Sequence, residues 1–218
     1  MIITNSADKP SSRFIQVVRP YFESKGYLYH KSKKLFSLDF TYGTKSVGFW
    51  FRIGILTSVE LNWRIQYEKL EKLCAVLRGT PRQYKSAFTL ATDMANYTRW
   101  EPHPEHTFDL YDEASLHYDD FSINNAAKKI IEGYEKYTKP FFTKYQNYRD
   151  LYTTFNNNDG FTGLREVLLA KYFEIPEFDK LFSKHEFEVL RRNDQPEIDM
   201  YKRLVQFLQT EDIKKWLD

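Results

Sequence analysis

The densest set of chemistry-bearing residues is Glu101-Pro102-His103-Pro104-Glu105-His106, with Asp109 and His117 close behind. Imidazole and carboxylate are ligands for zinc or iron, and two carboxyls can share acid and base work. The spacing argues against both. A His-x-x-His between prolines is not on a helix face, so the two imidazoles have no built-in convergence. The segment reads as a polar loop, and no metal is expected. Cys74 is the single thiol. It falls on the apolar stripe Leu70, Leu73, Cys74, Leu77, where burial disfavours the reactive thiolate. Gly43-Thr44-Lys45-Ser46 ends like a phosphate loop but lacks the glycine spacing and falls in a turn between strands. No dinucleotide fingerprint or nucleophile elbow is present, so no catalytic residue and no cofactor is expected.

A second set could hold nucleic acid. Lys31, Lys33, Lys34, Lys45, Arg52 and Arg64 accompany Tyr29, Trp50 and Trp63. An exposed sheet bearing bases and rings stacks and grips single strands. The competing reading makes Trp63 core and the lysines edge protection.

The third set is defined by charge. The 218 residues carry a net charge of only +2, but that total conceals a strong asymmetry. Residues 1–99 hold sixteen Lys and Arg against seven acids. Residues 100–127 hold no Lys or Arg and seven acids: Glu101, Glu105, Asp109, Asp112, Glu113, Asp119 and Asp120. Residues 128–218 balance at sixteen of each sign. The acidic run is either a loop folded against the basic half or an exposed patch that attracts a basic partner. In the second case the partner site is Trp100, Glu101, Glu105, Asp109, Tyr111, Asp112, Glu113, Asp119 and Asp120, with Trp100 and Tyr111 as apolar anchors.

The elements that position these groups follow from periodicity. Eighteen Phe, sixteen Tyr and four Trp can fill a large core and exclude disorder over most of the length. The pattern predicts a first helix over about Ser12–Lys25, capped by Ser11 or Ser12, kinked or divided at Pro20 and stopped by Gly26. The period then falls to 2. Phe36, Leu38 and Phe40, then Phe49, Phe51 and Ile53, then Leu61 and Trp63 alternate with polar neighbours, which predicts an antiparallel meander with one buried face. A second helix is expected over about Gln66–Leu77. Residues 82–121 are the least regular, with strand candidates at Ala87–Leu90 and Thr107–Tyr111. Beyond Ser122 the helical period returns. Ser122 or Asn124 caps a helix broken or kinked at Pro140. Further helices are expected at about Thr162–Phe173, Pro176–Arg191 and Glu197–Leu208, with the last open to continuing through Ile213–Leu217. The fold class is therefore α+β, read as a sheet domain over 1–121 and a helical region over 122–218 packed on it or continuous with it. No internal repeat is evident. The start has no signal-peptide pattern and no run reaches the roughly 20 apolar residues of a membrane helix, so a cytoplasmic location and no membrane contact are expected.

Several pieces together resemble an uncharacterised bacterial α+β domain family. They are Pro20-Tyr21-Phe22-x-x-x-Gly26-Tyr27, the aromatic meander Phe36 to Trp63, the Arg99-Trp100 pair, and Lys139-Pro140-Phe141-Phe142-x-x-Tyr145. The resemblance implies a helix, an antiparallel sheet and a helical C-terminal part. It implies no catalytic residue. Similar small cytoplasmic proteins occur among immunity proteins paired with bacterial toxins. The expected function is thus a non-enzymatic protein-binding module, with a toxin-neutralising immunity protein as one form of it and a basic toxin domain as partner. Two alternatives remain open: a nucleic-acid-binding or regulatory protein, and an enzyme without a recognisable motif.

Overall fold

The computed structural model describes residues 10–53, 57–99, 105–112, 117–156 and 163–218, with only the backbone of Ile53, Asp112 and His117. The fold is α+β. The chain divides into two compact units. One comprises Met1–Phe40, Thr44–Ile65 and Leu90–Thr143; the other comprises Thr41–Gly43, Gln66–Thr89 and Lys144–Asp218. The position 121/122 falls within the first unit.

In the sheet unit, α1 runs unbroken from Pro10 to Ser24. Pro20 therefore does not divide it. Gly26, at φ +87°, ends it: Tyr27 N–H reaches back to the Phe22 carbonyl at 3.1 Å, the six-residue closure typical of a glycine stop. Strands β1 (Leu28–His30), β2 (Leu35–Phe40), β3 (Gly43–Ile53), β4 (Thr57–Tyr67) and β5 (Leu90–Asp93) form the sheet in chain order. A sixth strand, β6 (Thr107–Asp109), pairs with β4 beside β5.

The period-2 face supplies one wall of the sheet unit's core. Phe14, Val18 and Phe22 of α1 are buried against it with Phe36, Val47 and Phe49. Phe22 stacks on Phe36 at 4.8 Å, and Phe14 meets Phe49 edge-on at 5.2 Å. Leu61 and Trp63 are likewise buried. Leu38, Phe40 and Phe51 are only half-buried. Two of these rings sit near cations instead, with Lys45 Nζ 4.7 Å from the Phe40 centroid and Lys34 Nζ 5.9 Å from that of Phe51.

Later boundaries differ from the periodicity for identifiable reasons. Gln66 and Tyr67 stay extended as the end of β4, and Tyr67 N–H donates to Thr89 Oγ1 at 2.9 Å. The second helix, α2, accordingly spans Glu68–Leu77. Helix α3 is Met94–Thr98, and a small hairpin pairs β7 (Tyr111–Asp112) with β8 (His117–Tyr118). Helix α4 is Asp120–Gly133, and its cap is Asp119 rather than Ser122 or Asn124. One turn before Pro140 the winding widens into a π turn, Tyr134–Thr138, which leads into α5, Lys139–Lys144. At this turn Tyr27 and Tyr134 share a hydroxyl contact of 3.2 Å, and Tyr21 donates to Glu135. The hydrogen bonds from Lys139 and Tyr21 hold the Glu135 carboxyl down at about 2.

The second unit is helical: α2 with α6 (Tyr148–Asn156), α7 (Leu164–Tyr172), α8 (Phe178–Arg192), α9 (Gln195–Thr210) and α10 (Lys214–Leu217). Glu211 is extended and separates α9 from α10. Helix α2 is tied to α7 through a fully buried carboxylate. Glu71 receives Arg165 Nε at 2.6 Å and Nη2 at 2.8 Å, and Thr89 Oγ1 at 2.9 Å. Gly43, in the β2–β3 turn, is obligatory, because a Cβ there would lie 2.0 Å from the Gln66 carbonyl oxygen.

Burial sets the cost of losing each ring. Phe36→Ala should lower unfolding free energy by about 3–5 kcal/mol. Phe51→Ala should cost clearly less, because its ring is half solvated before truncation. Chemical denaturation of both variants checks the order; equal losses would mean that the two rings occupy equivalent sites.

Candidate functional site

The acidic segment is built around one short strand. β6 pairs antiparallel with β4 in the register Ser58↔Asp109, Val59↔Phe108, Glu60↔Thr107. Alternation buries Phe108 and leaves Thr107 and Asp109 half-buried on the other side. The ladder is extended by Leu110 N–H to the Thr57 carbonyl at 3.1 Å, and Leu110 is fully buried. The β7–β8 hairpin follows, pairing Tyr111 with Tyr118. It is tied back to β4 by a 3.0 Å contact between the hydroxyls of Tyr118 and Thr57.

Helix α4 closes the other side. Asp119 takes the extended conformation of a cap, φ −135° and ψ 162°. One carboxylate oxygen accepts from Ser122 N–H at 2.7 Å and the other from Ser122 Oγ at 2.9 Å. That arrangement satisfies one of the helix's orphan donors. From there Ser122, Asn125, Ala126 and Lys129 recur at helical spacing and line a cleft of about 230 Å³. Its other wall is Glu105, Thr107, Phe108, Asp109 and Tyr111.

The fold thus brings Glu105, Asp109 and Tyr111 into one cleft. Asp119 and Asp120 stand at the first turn of the helix that lines it. Asp112 lies in β7. Trp100, Glu101 and Glu113 lie outside the described residues. Two of the acids are paired: Glu105 with Lys129, and Asp120 with Arg13 of α1. Lys129 also stands 5.5 Å over the Phe108 ring. Glu105, Asp109, Asp119 and Asp120 against Arg13 and Lys129 leave these side chains with an excess of two negative charges. Arg13 comes from the basic half, so one acid of the run folds against that half.

Two further rings near the start of α4 were not among the sequence candidates. Phe121 is 81% exposed and Tyr118 40% exposed. Phe121 is out of phase with the buried stripe Ile123, Ala126, Ala127 and Ile130, so the helical period alone places it outside the core. A large ring left in water beside carboxylates has the character of an interface anchor.

The other sequence candidates are placed as follows. Trp63 and Lys45 are buried, and Arg64 is half-buried. Trp50 is 54% exposed, while Arg52 donates to the buried Glu60 at 2.8 Å. The basic and aromatic residues of the sheet do not form one continuous exposed strip. Cys74 is fully buried, and burial pushes its thiol up to about 12. His103 lies outside the described residues and His106 is half-buried. Among the described residues no group of three or more His, Cys, Asp or Glu is placed to hold a metal. Nor is any helix among them long and apolar enough to cross a membrane. Comparison of the chain with protein-family models, curated proteins and solved structures finds no match.

The two roles within this face separate experimentally. Asp119→Ala should reduce stability by about 1 kcal/mol through loss of the cap. Phe121→Ser should leave the melting temperature within about 0.5 kcal/mol equivalent of the wild type, because the ring buries little. A large loss in Phe121→Ser would assign that ring to internal packing.

Proposed function

We propose that this chain is a non-enzymatic protein-binding module that docks a basic partner through the face formed by β6, the β7–β8 hairpin and the first turn of α4. The observation that carries this reading is Phe121, four-fifths exposed and adjacent in sequence to Asp119 and Asp120. Interfaces draw affinity from a few aromatic anchors, and surrounding charge supplies steering and register. Tyr118 adds a second ring, and the cleft below Asp109 offers a recess for one basic side chain. The excess carboxylates attract a positive surface at a distance of roughly a Debye length. Working in the cytoplasm as an immunity protein against a toxin that cuts nucleic acid is the form suggested by the family resemblance. Such toxins carry basic sites, for which an acidic inhibitor surface is the complement.

The test compares the wild type with two variants. One is Glu105→Lys/Asp109→Lys/Asp120→Lys; the other is Phe121→Ala. Each serves as bait in lysate of the source cells, and the protein retained by the wild type is purified for association kinetics at low and high salt. The charge variant should slow association most at low salt. The Phe121 variant should chiefly speed dissociation, by about tenfold or more. A purified partner whose rates are unchanged by both variants would overturn the proposal, as would failure of the wild type to retain any protein that the variants lose.

A further inference from the structure

We propose that the helical unit holds a separate small-molecule site, and that it takes an organic amine with an apolar body. The site is a cavity of about 470 Å³ bounded by α7, α8 and α9. That volume lies within the range of ligand pockets, roughly 300–1,000 Å³. Its composition is also that of a ligand pocket. Leu164, Val189 and Met200 give it apolar walls, while Glu166, His185 and Glu197 give it polar groups. Val189 and His185 are almost wholly buried, so these groups are held in place by the fold.

The charges around the cavity determine the ligand's sign. Arg165 also lines it, but its charge is paired with Glu71 and three of its five N–H donors are taken. It makes two bonds to Glu71, and Nη2 adds a third to the Phe88 carbonyl at 3.0 Å. Arg78 also lines the cavity, with its side chain exposed to water. Glu166 is buried, accepts from the Gly163 backbone N–H at the start of α7, and has its carboxyl raised by burial. Glu197 is the decisive group. Its contact with Arg192 is a long 3.5 Å through Oε1. Its Oε2 is buried and has no hydrogen-bond partner among the described residues. A buried carboxylate oxygen without a donor carries an unrecovered desolvation cost. An ammonium group supplies the donor that Oε2 lacks, and the apolar walls accommodate the carbon skeleton attached to it. A carboxylate ligand would meet Glu166 and Glu197 as like charges.

This inference is independent of the docking face, and its readout does not involve a protein partner. The full chain is titrated with 2-phenylethylamine, 2-phenylethanol and phenylacetate, followed by calorimetry and amide chemical shifts. The amine should bind saturably at one site, with the alcohol at least about tenfold weaker and the carboxylate weakest. Glu197→Gln should lose about tenfold in amine affinity, and shifts should map to α7, α8 and α9. Met200→Trp should fill the cavity and abolish binding; should that variant fail to fold, Val189→Phe serves the same purpose. Equal or tighter binding of phenylacetate would overturn the proposal. So would full amine affinity in Glu197→Gln, or no saturable amine binding by the wild type.

Discussion

Strand β4 is the constraint on which the rest of the structure depends. Its eleven residues, Thr57–Tyr67, include none that is exposed. One edge is occupied by β3, and the other is shared between β6 at Ser58–Glu60 and β5 at Asn62–Ile65. A strand hydrogen-bonded along both edges and buried on one face cannot shift register without unpairing several ladders together. Its apolar residues Val59, Leu61, Trp63 and Ile65 are essentially inaccessible to water. Its final residue, Tyr67, passes directly into α2 without a side-chain cap.

Two consequences follow from that strand. At its start, pairing with β6 fixes where the acidic segment runs, because Asp109 lies opposite Ser58. A segment with seven acids and no base has little reason to pack on its own; the ladder and the burial of Phe108 and Leu110 anchor it. The Asp109 carboxylate is then held at a defined position in the ladder. At the end of β4, the chain enters α2, whose Glu71 takes both Arg165 and Thr89. Burying that carboxylate is favourable only because it receives three donors. The same pairing occupies Arg165, which leaves the acidic character of the nearby cavity to Glu166 and Glu197.

Much of the sheet was legible in the sequence because a buried face repeats every second residue, as in Phe49 and in Leu61 and Trp63. The limits of that reading are physical. Phe40 and Phe51 satisfy the period but sit where a cation and solvent share the ring, which alternation does not encode. Gln66 fits a helix start as well as a strand end, and a contact from Thr89, over twenty residues away, decides for the strand. Asp119 was visible as an acid but not as a cap, since Ser122 and Asn124 offered equal cap chemistry. Within the proposed docking face, the run lacking bases marked Glu105 and Asp109. The exposure of Phe121 depends on how α4 is oriented, although its phase already set it apart. The helical cavity was not legible at all, because Leu164, His185, Glu197 and Arg78 come from separate segments and share no motif.

The central claim is that the face around β6 and the start of α4 is the docking surface. The most direct measurement is amide hydrogen exchange of the chain alone and in complex with its purified partner. The account predicts slowed exchange over 105–112 and 117–126, with β3, which carries Trp50, unchanged. Protection confined to residues 28–53, with residues 105–126 exchanging as in the free protein, would contradict it.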